Sequence, residues 1–308
     1  VEALLRLLKA YFRRLRVAVL NADEENRGRG VIGGVAGRET AEDVEVEIDR
    51  MAETLFREVL ERFQGRYRAL REVRVFSEHF PEGYGSEQPT ILCFIDPFDG
   101  SDEYLKRIES SWYCAVTFTS PDWKPLAAGM VDILAGKIYL IGEGSEEYEP
   151  GKRVTTVITL RSEGEEVATP DTRVRVPGTE PAVIAAYMGR SKYLRPLVDM
   201  LGPLLPPEET RRRNFRQLTW HGKGGSFVYA WIAAGRLIAY IMPNEPVNEI
   251  LPGWGFAALA GFPILVMEED GSWTPFSPAI HWQQTRVRAL VAACTEGMAR
   301  DVIRLIQS

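Results

Sequence analysis

The stretch Phe94-Ile-Asp-Pro-Phe-Asp-Gly-Ser-Asp-Glu-Tyr104 carries two carboxylates three residues apart, Asp96 and Asp99, with the carbonyl of Phe98 between them. Hard oxygen donors of this kind suit magnesium. Ser101-Asp-Glu-Tyr-Leu-Lys106 then reads as the first turn of a helix. Its free backbone N–H groups favour an anion such as phosphate. A cation on one side of a turn and an anion cradle on the other are the parts of phosphate-ester chemistry. Asp-Pro-Xaa-Asp-Gly is also good turn chemistry, with Pro and Gly in favoured turn positions. Taken alone, the stretch fits either a site or a plain strand–turn–helix corner.

The surrounding elements must position these groups. Leu92-Cys-Phe-Ile95 predicts a short buried strand that stops at Asp96-Pro97, because proline has no N–H to give a sheet. Leu4, Leu8, Tyr11, Leu15 and Val19 recur at helical spacing and predict an amphipathic helix over 2–20. Residues 21–37 read as a glycine-rich loop. Thr40-Ala-Glu-Asp43 resembles a capping box that opens a second helix running to Phe63, with Asp49 near its start, while Val44-Glu-Val-Glu-Ile48 also alternates like a strand. Strands are predicted over 71–77, 112–119, 126–133 and 137–141, the last two joined as a hairpin by Leu134-Ala-Gly136. Further strand-like pieces fall at 154–160 and 173–176.

Beyond residue 182 strands and helices alternate, with strands over 183–188, 236–242, 263–267 and 287–293. Helices are predicted over 193–201, 225–235, 254–261 and 296–306. The first half is thus α+β and the second α/β. We expect an N-terminal metal-binding domain over 1–180 and a C-terminal domain over 181–308.

Composition narrows the classes. A chain of 308 residues with 45% hydrophobic and 26% charged residues is an ordinary globular protein. A net charge of −6 argues against a nucleic-acid surface. Cys93, Cys114 and Cys294 are odd in number and lack metal-ligand spacing, which fits a reducing cytoplasm. No apolar run is long enough for a membrane span, and Val1-Glu-Ala-Leu-Leu-Arg6 is charged too early for a secretory signal.

With these elements in order, the chain resembles the inositol monophosphatase superfamily, which includes fructose-1,6-bisphosphatases and 3′-phosphoadenosine-5′-phosphate nucleotidases. The resemblance rests on Asp96-Pro-Phe-Asp-Gly-Ser101, on Phe76-Ser-Glu-His79, on Gly225-Ser226, and on Trp254-Gly-Phe-Ala-Ala258 beside the family's Trp-Asp-Xaa-Ala-Ala. It implies a layered α-β-α-β-α sandwich, as in the sugar phosphatases. It also implies hydrolysis of a small phosphorylated metabolite with two or three Mg²⁺ per chain, Mn²⁺ being an alternative, and a homodimer. Glu78, Asp96 and the Phe98 carbonyl would hold one ion, and Asp96 and Asp99 a second. Gly100 and Ser101 would donate backbone N–H groups to phosphate, while Asp49 and the Ser101 hydroxyl orient and deprotonate water. Gly225 and Ser226 would face the rest of the substrate, and Arg38 would take the place of a loop lysine. Inositol monophosphate is the first substrate expected, then fructose 1,6-bisphosphate and 3′-phosphoadenosine 5′-phosphate. Arg211-Arg-Arg213 and Arg216 could meet a second phosphate or form a solvated surface.

One departure stands out. Gly255 occupies the place of the family's third metal-binding aspartate. Glu249, within Asn248-Glu-Ile-Leu-Pro252, either replaces that acid or faces solvent before a proline turn. If nothing replaces it, the chain becomes a non-catalytic or weakly active member that binds a phosphorylated ligand or a protein partner.

Overall fold

The computed structural model describes residues 1–34, 44–143, 153–161, 164–168, 182–188, 191–201 and 218–307. Helix α1 (Glu2–Glu24) buries the predicted stripe Leu4, Leu8, Tyr11, Leu15 and Val19. Where a loop was expected, β1 (Val31–Gly34) pairs with β2 (Val44–Val46) as an antiparallel ribbon. Helix α2 (Glu47–Arg66) follows, and Asp49 Oδ2 accepts the Val46 N–H at 2.8 Å, capping it from its own first turn. Arg38, the Thr40–Asp43 stretch, the strand expected over 173–176, the 180/181 boundary, Arg211–Arg213 and Arg216 lie outside the described residues.

The first sheet contains β3 (Val73–Phe76), β4 (Tyr84–Gly85) and β5 (Ile91–Asp99). After the short helix α3 (Ser101–Leu105) it continues with β6 (Tyr113–Thr119), β7 (Pro125–Asp132), β8 (Lys137–Glu143), β9 (Arg153–Arg161) and β10 (Gly164–Ala168). Its eight strands run in the order β10-β9-β8-β7-β6-β5-β3-β4, antiparallel except for the parallel pair β3–β5. Central β6 is buried along its whole length, as a strand covered on both faces must be.

The second part comprises β11 (Ala182–Ala185), α4 (Ser191–Leu201), β12 (Leu218–His221), α5 (Val228–Ala233), β13 (Ala239–Pro246) and α6 (Val247–Ala260). Then come β14 (Ile264–Met267), β15 (Trp273–Pro275), α7 (Pro278–His281), β16 (Arg286–Ala293) and α8 (Glu296–Ile306). The six-stranded order is β12-β11-β13-β16-β14-β15, mixed in direction.

Three apolar clusters define the layers. Helices α1 and α2 cover one face of the first sheet through Tyr11, Phe12, Phe56 and Val116. Helices α5 and α6 lie between the sheets, joining Tyr113 and Met130 to Tyr240 and Leu290. Helices α4 and α8 close the outer face through Leu197, Val302 and Ile241. The result is the expected α-β-α-β-α sandwich.

Helix α6 is apolar on every side because it packs against both sheets. It begins seven residues before the predicted start: Pro252-Gly253 reads as a break, yet the helix continues through it. Conversely, the helix expected over 225–235 shortens to α5, since Gly225 has φ +128° and cannot join it. Helix α8 has the predicted bounds, and Thr295 Oγ1 accepts the Met298 N–H at 3.2 Å as its cap. Thr295→Ala is expected to cost about 1 kcal/mol, to be read as a lower denaturant midpoint at unchanged m-value.

Candidate active site

The two aspartates share a face because β5 is bulged. Asp96 pairs with Ala115 and Asp99 with Tyr113, so three steps along β5 match two along β6. In a regular strand, residues three apart point to opposite faces. The extra residue returns Asp99 to the side of Asp96, where Tyr113 stacks on Phe227 at 4.0 Å. The strand therefore passes through Pro97 instead of stopping there, since a bulge tolerates a missing donor. Phe98 turns its ring the other way, against Tyr104 and Trp112. Gly100 then turns the chain into α3 with φ +116°, and a Cβ there would lie 1.8 Å from the Ser111 carbonyl oxygen.

These turns place a cavity of about 120 Å³ at the edge of β5. Glu78, from the bend after β3, lines it with Asp96, Phe98, Asp99, Gly100 and Ser101. Gly225 and Glu249 complete the set from the second half of the chain. Ser226 lies just behind, its Oγ donating to Asp96 Oδ2 at 2.7 Å. Gly225 presses on Asp99 so closely that a Cβ would meet Oδ2 at 2.2 Å. Asp49 does not line the cavity. It is 1% exposed beneath it, and its Oδ1 accepts a hydrogen bond from the Ser101 hydroxyl. Ser101 Oγ is also 3.0 Å from the Phe98 carbonyl oxygen.

The structure corrects the placement of Gly255. That residue sits in the third turn of α6 and faces the first sheet, its N–H bonded to Thr117 Oγ1 at 3.0 Å. A Cβ would be 2.6 Å from that oxygen and 2.8 Å from Ala128. No acid at this position could reach the cavity. Glu249 stands in the first turn of α6, on the cavity wall, and not in a solvent-facing loop.

Two lining residues escaped the sequence reading. Glu245, at the end of β13, is 0% exposed and accepts the Tyr240 hydroxyl at 2.9 Å. Its signal was an acid between two prolines, Pro243 and Pro246, at the end of an apolar run. Lys223 forms an ion pair with Glu103 of α3 and is the one basic side chain on the wall among the described residues.

Acidic charge dominates the cavity. Burial, reinforced by Glu78, pushes the Asp49 carboxyl well above the usual carboxylate range. Burial raises Asp99 as well, and Asp96, Glu249, Glu103 and Glu245 add to the rise. Asp99 Oδ2 is buried with no hydrogen-bond partner. As the side chains lie, no three His, Cys, Asp or Glu of the described residues are grouped closely enough to hold an ion. The donor set nonetheless fits a hard divalent cation: carboxylates from three elements face one space, and one buried oxygen lacks a partner.

The Asp99 shift has a measurable sign. Its folded-state pKa lies above the unfolded value, near ~4, so its burial opposes folding increasingly as pH rises from the unfolded toward the folded value. Metal-free parent protein is expected to lose Tm relative to Asp99→Asn as pH climbs, the two converging near pH ~4. Thermal melts at constant ionic strength check this; parallel curves would contradict it.

No known family's sequence profile matches the chain, and no curated protein matches it by sequence. Solved structures do match in fold. The extragenic suppressor protein SuhB of Bartonella henselae superposes with a TM-score of 0.68 at 16% identity, over 99% of each chain. An IMPase of Thermotoga maritima gives 0.61 at 14%, over 97% of this chain and 94% of its own. An IMPase/NADP phosphatase solved with Mg²⁺ and phosphate gives 0.57 at 12%, over 96% and 93%. The chain has the inositol monophosphatase fold, a phosphatase fold, along nearly its full length. No helix among the described residues is long and apolar enough to cross a membrane.

Proposed function

We propose that the chain is a magnesium-dependent phosphomonoesterase acting on a small phosphorylated metabolite. The observation that carries this is the convergence of Glu78, Asp96, Asp99 and Glu249 on one cavity beside the Gly100–Ser101 turn. Glu78, Asp96 and the Phe98 carbonyl would hold one ion, and Asp96, Asp99 and Glu249 a second, with Mn²⁺ able to substitute. Bound magnesium supplies positive charge against a dianionic ester and lowers the pKa of a water.

The chain's own groups do the rest. Backbone N–H groups of Gly100 and Ser101 hold the phosphate. The Ser101 hydroxyl, bonded to Asp49, accepts a hydrogen bond from the attacking water and takes its proton while passing its own to the Asp49 carboxylate. A buried carboxyl with a raised pKa is a better proton acceptor than an exposed one. Ser226 orients Asp96 through its hydrogen bond, and Gly225 lets the wall approach Asp99. Gly255 gives the non-catalytic alternative no support, because it packs on Thr117. Free Cys93, Cys114 and Cys294 suit a reducing cytoplasm.

The test is phosphate release from inositol monophosphate, fructose 1,6-bisphosphate and 3′-phosphoadenosine 5′-phosphate, with Mg²⁺ and after chelation. Calorimetric titration would count the ions, two or more per chain being expected. Absence of magnesium-dependent release from every ester tried contradicts the assignment.

A further inference from the structure

A second cavity of about 240 Å³, twice the volume of the acidic one, adjoins it. Glu78, Ile95, Pro246 and Asn248 belong to the walls of both, so one ligand can occupy the two together. We propose that this second cavity receives a flat aromatic ring carried by the alcohol half of the phosphate ester. The proposal rests on the phosphatase assignment above and narrows its substrate class.

Its wall is more aromatic than its neighbour's, although Ser77, Glu78, Asn248 and Arg286 also line it. Phe76 and Phe94 lie stacked in the wall, their centroids 5.4 Å apart and planes 16° from parallel. Trp282 meets Phe76 edge-on at 5.9 Å, and Phe94 is backed by Trp123 at 5.5 Å and 19°. Leu251 from α6 adds aliphatic surface. Phe94, covered on both faces, backs Phe76 rigidly, so the wall need not reorganise to accept a ring against Phe76 and Trp282. Phe76 and Trp282 are only partly buried, so their surface is open to a ligand.

A bare polyol would set part of its surface against Phe76, Trp282 and Leu251, where its hydroxyls find no hydrogen-bond partner, an unfavourable exchange for water. A flat ring would remove apolar surface from water on both partners. The exposed side chains of Gln284 and Thr285 at the rim offer polar contacts at the ring edge. Charge binds one end of the ester, and apolar contact with the ring wall selects the other.

The test compares 2-naphthyl phosphate with glycerol 2-phosphate on the full chain with Mg²⁺, in the parent and in Thr285→Trp, which fills the cavity from its rim. Gln284→Trp, also an exposed position, serves should the first variant melt early. The parent is expected to favour the naphthyl ester, and the variant to lower the ratio of the two kcat/KM values about tenfold, mainly through KM. Binding of 2-naphthol, followed by saturation-transfer NMR, should weaken by a similar factor. Equal ratios in parent and variant, or naphthol binding untouched by both substitutions, would overturn the proposal. If naphthol binds and the variants weaken it while neither ester is hydrolysed, the ring site stands and the phosphatase assignment falls.

Discussion

Replacing Asp99 by asparagine is expected to lower magnesium-supported phosphate release about 10³-fold, equivalent to about 4 kcal/mol of lost transition-state stabilisation. Asp99 sits where the acidic residues of both halves of the chain meet: Asp96, Glu249, Glu103 and Glu245 all bear on it. Its Oδ2 is buried without a protein partner, so a cation is the natural group to satisfy it. Asparagine keeps the shape but offers the cation a neutral donor. The same substitution removes a buried negative charge, so the metal-free variant should melt higher at neutral pH than the parent. Magnesium, which should raise the parent's Tm by binding the folded state alone, should then raise the variant's much less. Activity and Tm thus move in opposite directions, a pattern no general folding defect produces. A variant as active as the parent would remove Asp99 from the machinery.

The second large effect separates Glu249 from Gly255. Glu249→Gln is expected to reduce activity by about 10²-fold or more, since even the outer partners of a metal site cost 10–100-fold, while leaving the fold intact. Gly255→Asp, which supplies the acid that the sequence resemblance leads one to expect there, should restore nothing. Its Cβ would strike Thr117 Oγ1 and the Ala128 methyl, and its carboxylate would be buried without a counter-charge. The expected cost is about 3–5 kcal/mol, read from urea unfolding. Higher activity in Gly255→Asp would mean that α6 presents a different face to the cavity.

Much of this was legible before the coordinates because the strongest signals were local. The buried stripe of α1, the hairpin at Leu134-Ala-Gly136 and the bounds of α8 follow from periodicity and turn chemistry. What was not legible depended on tertiary contacts. Proline and glycine at 252–253 mimic a break, yet between two sheets packing holds α6 continuous across them. The match of Trp254-Gly-Phe-Ala-Ala258 to the family's Trp-Asp-Xaa-Ala-Ala made Gly255 look like a lost ligand. Asp49 carries no local mark of its own; the family resemblance alone paired it with Ser101, and the fold brings the two together across 52 residues. Glu245 carries no local mark beyond its flanking prolines, and its burial comes from Tyr240 and the second sheet.

The irregularity in β5 has a consequence for how this site can vary. Parity, more than the chemistry of any one side chain, sets Asp96 and Asp99 together: an odd spacing is made even by one surplus residue. Were the same residues to pair with β6 without the bulge, both acids would stay in the chain and one of them would turn toward the oily helices α1 and α2. Such a slip conserves charge and composition yet inverts an orientation, so what this segment must keep is its irregular pairing with Tyr113–Ala115.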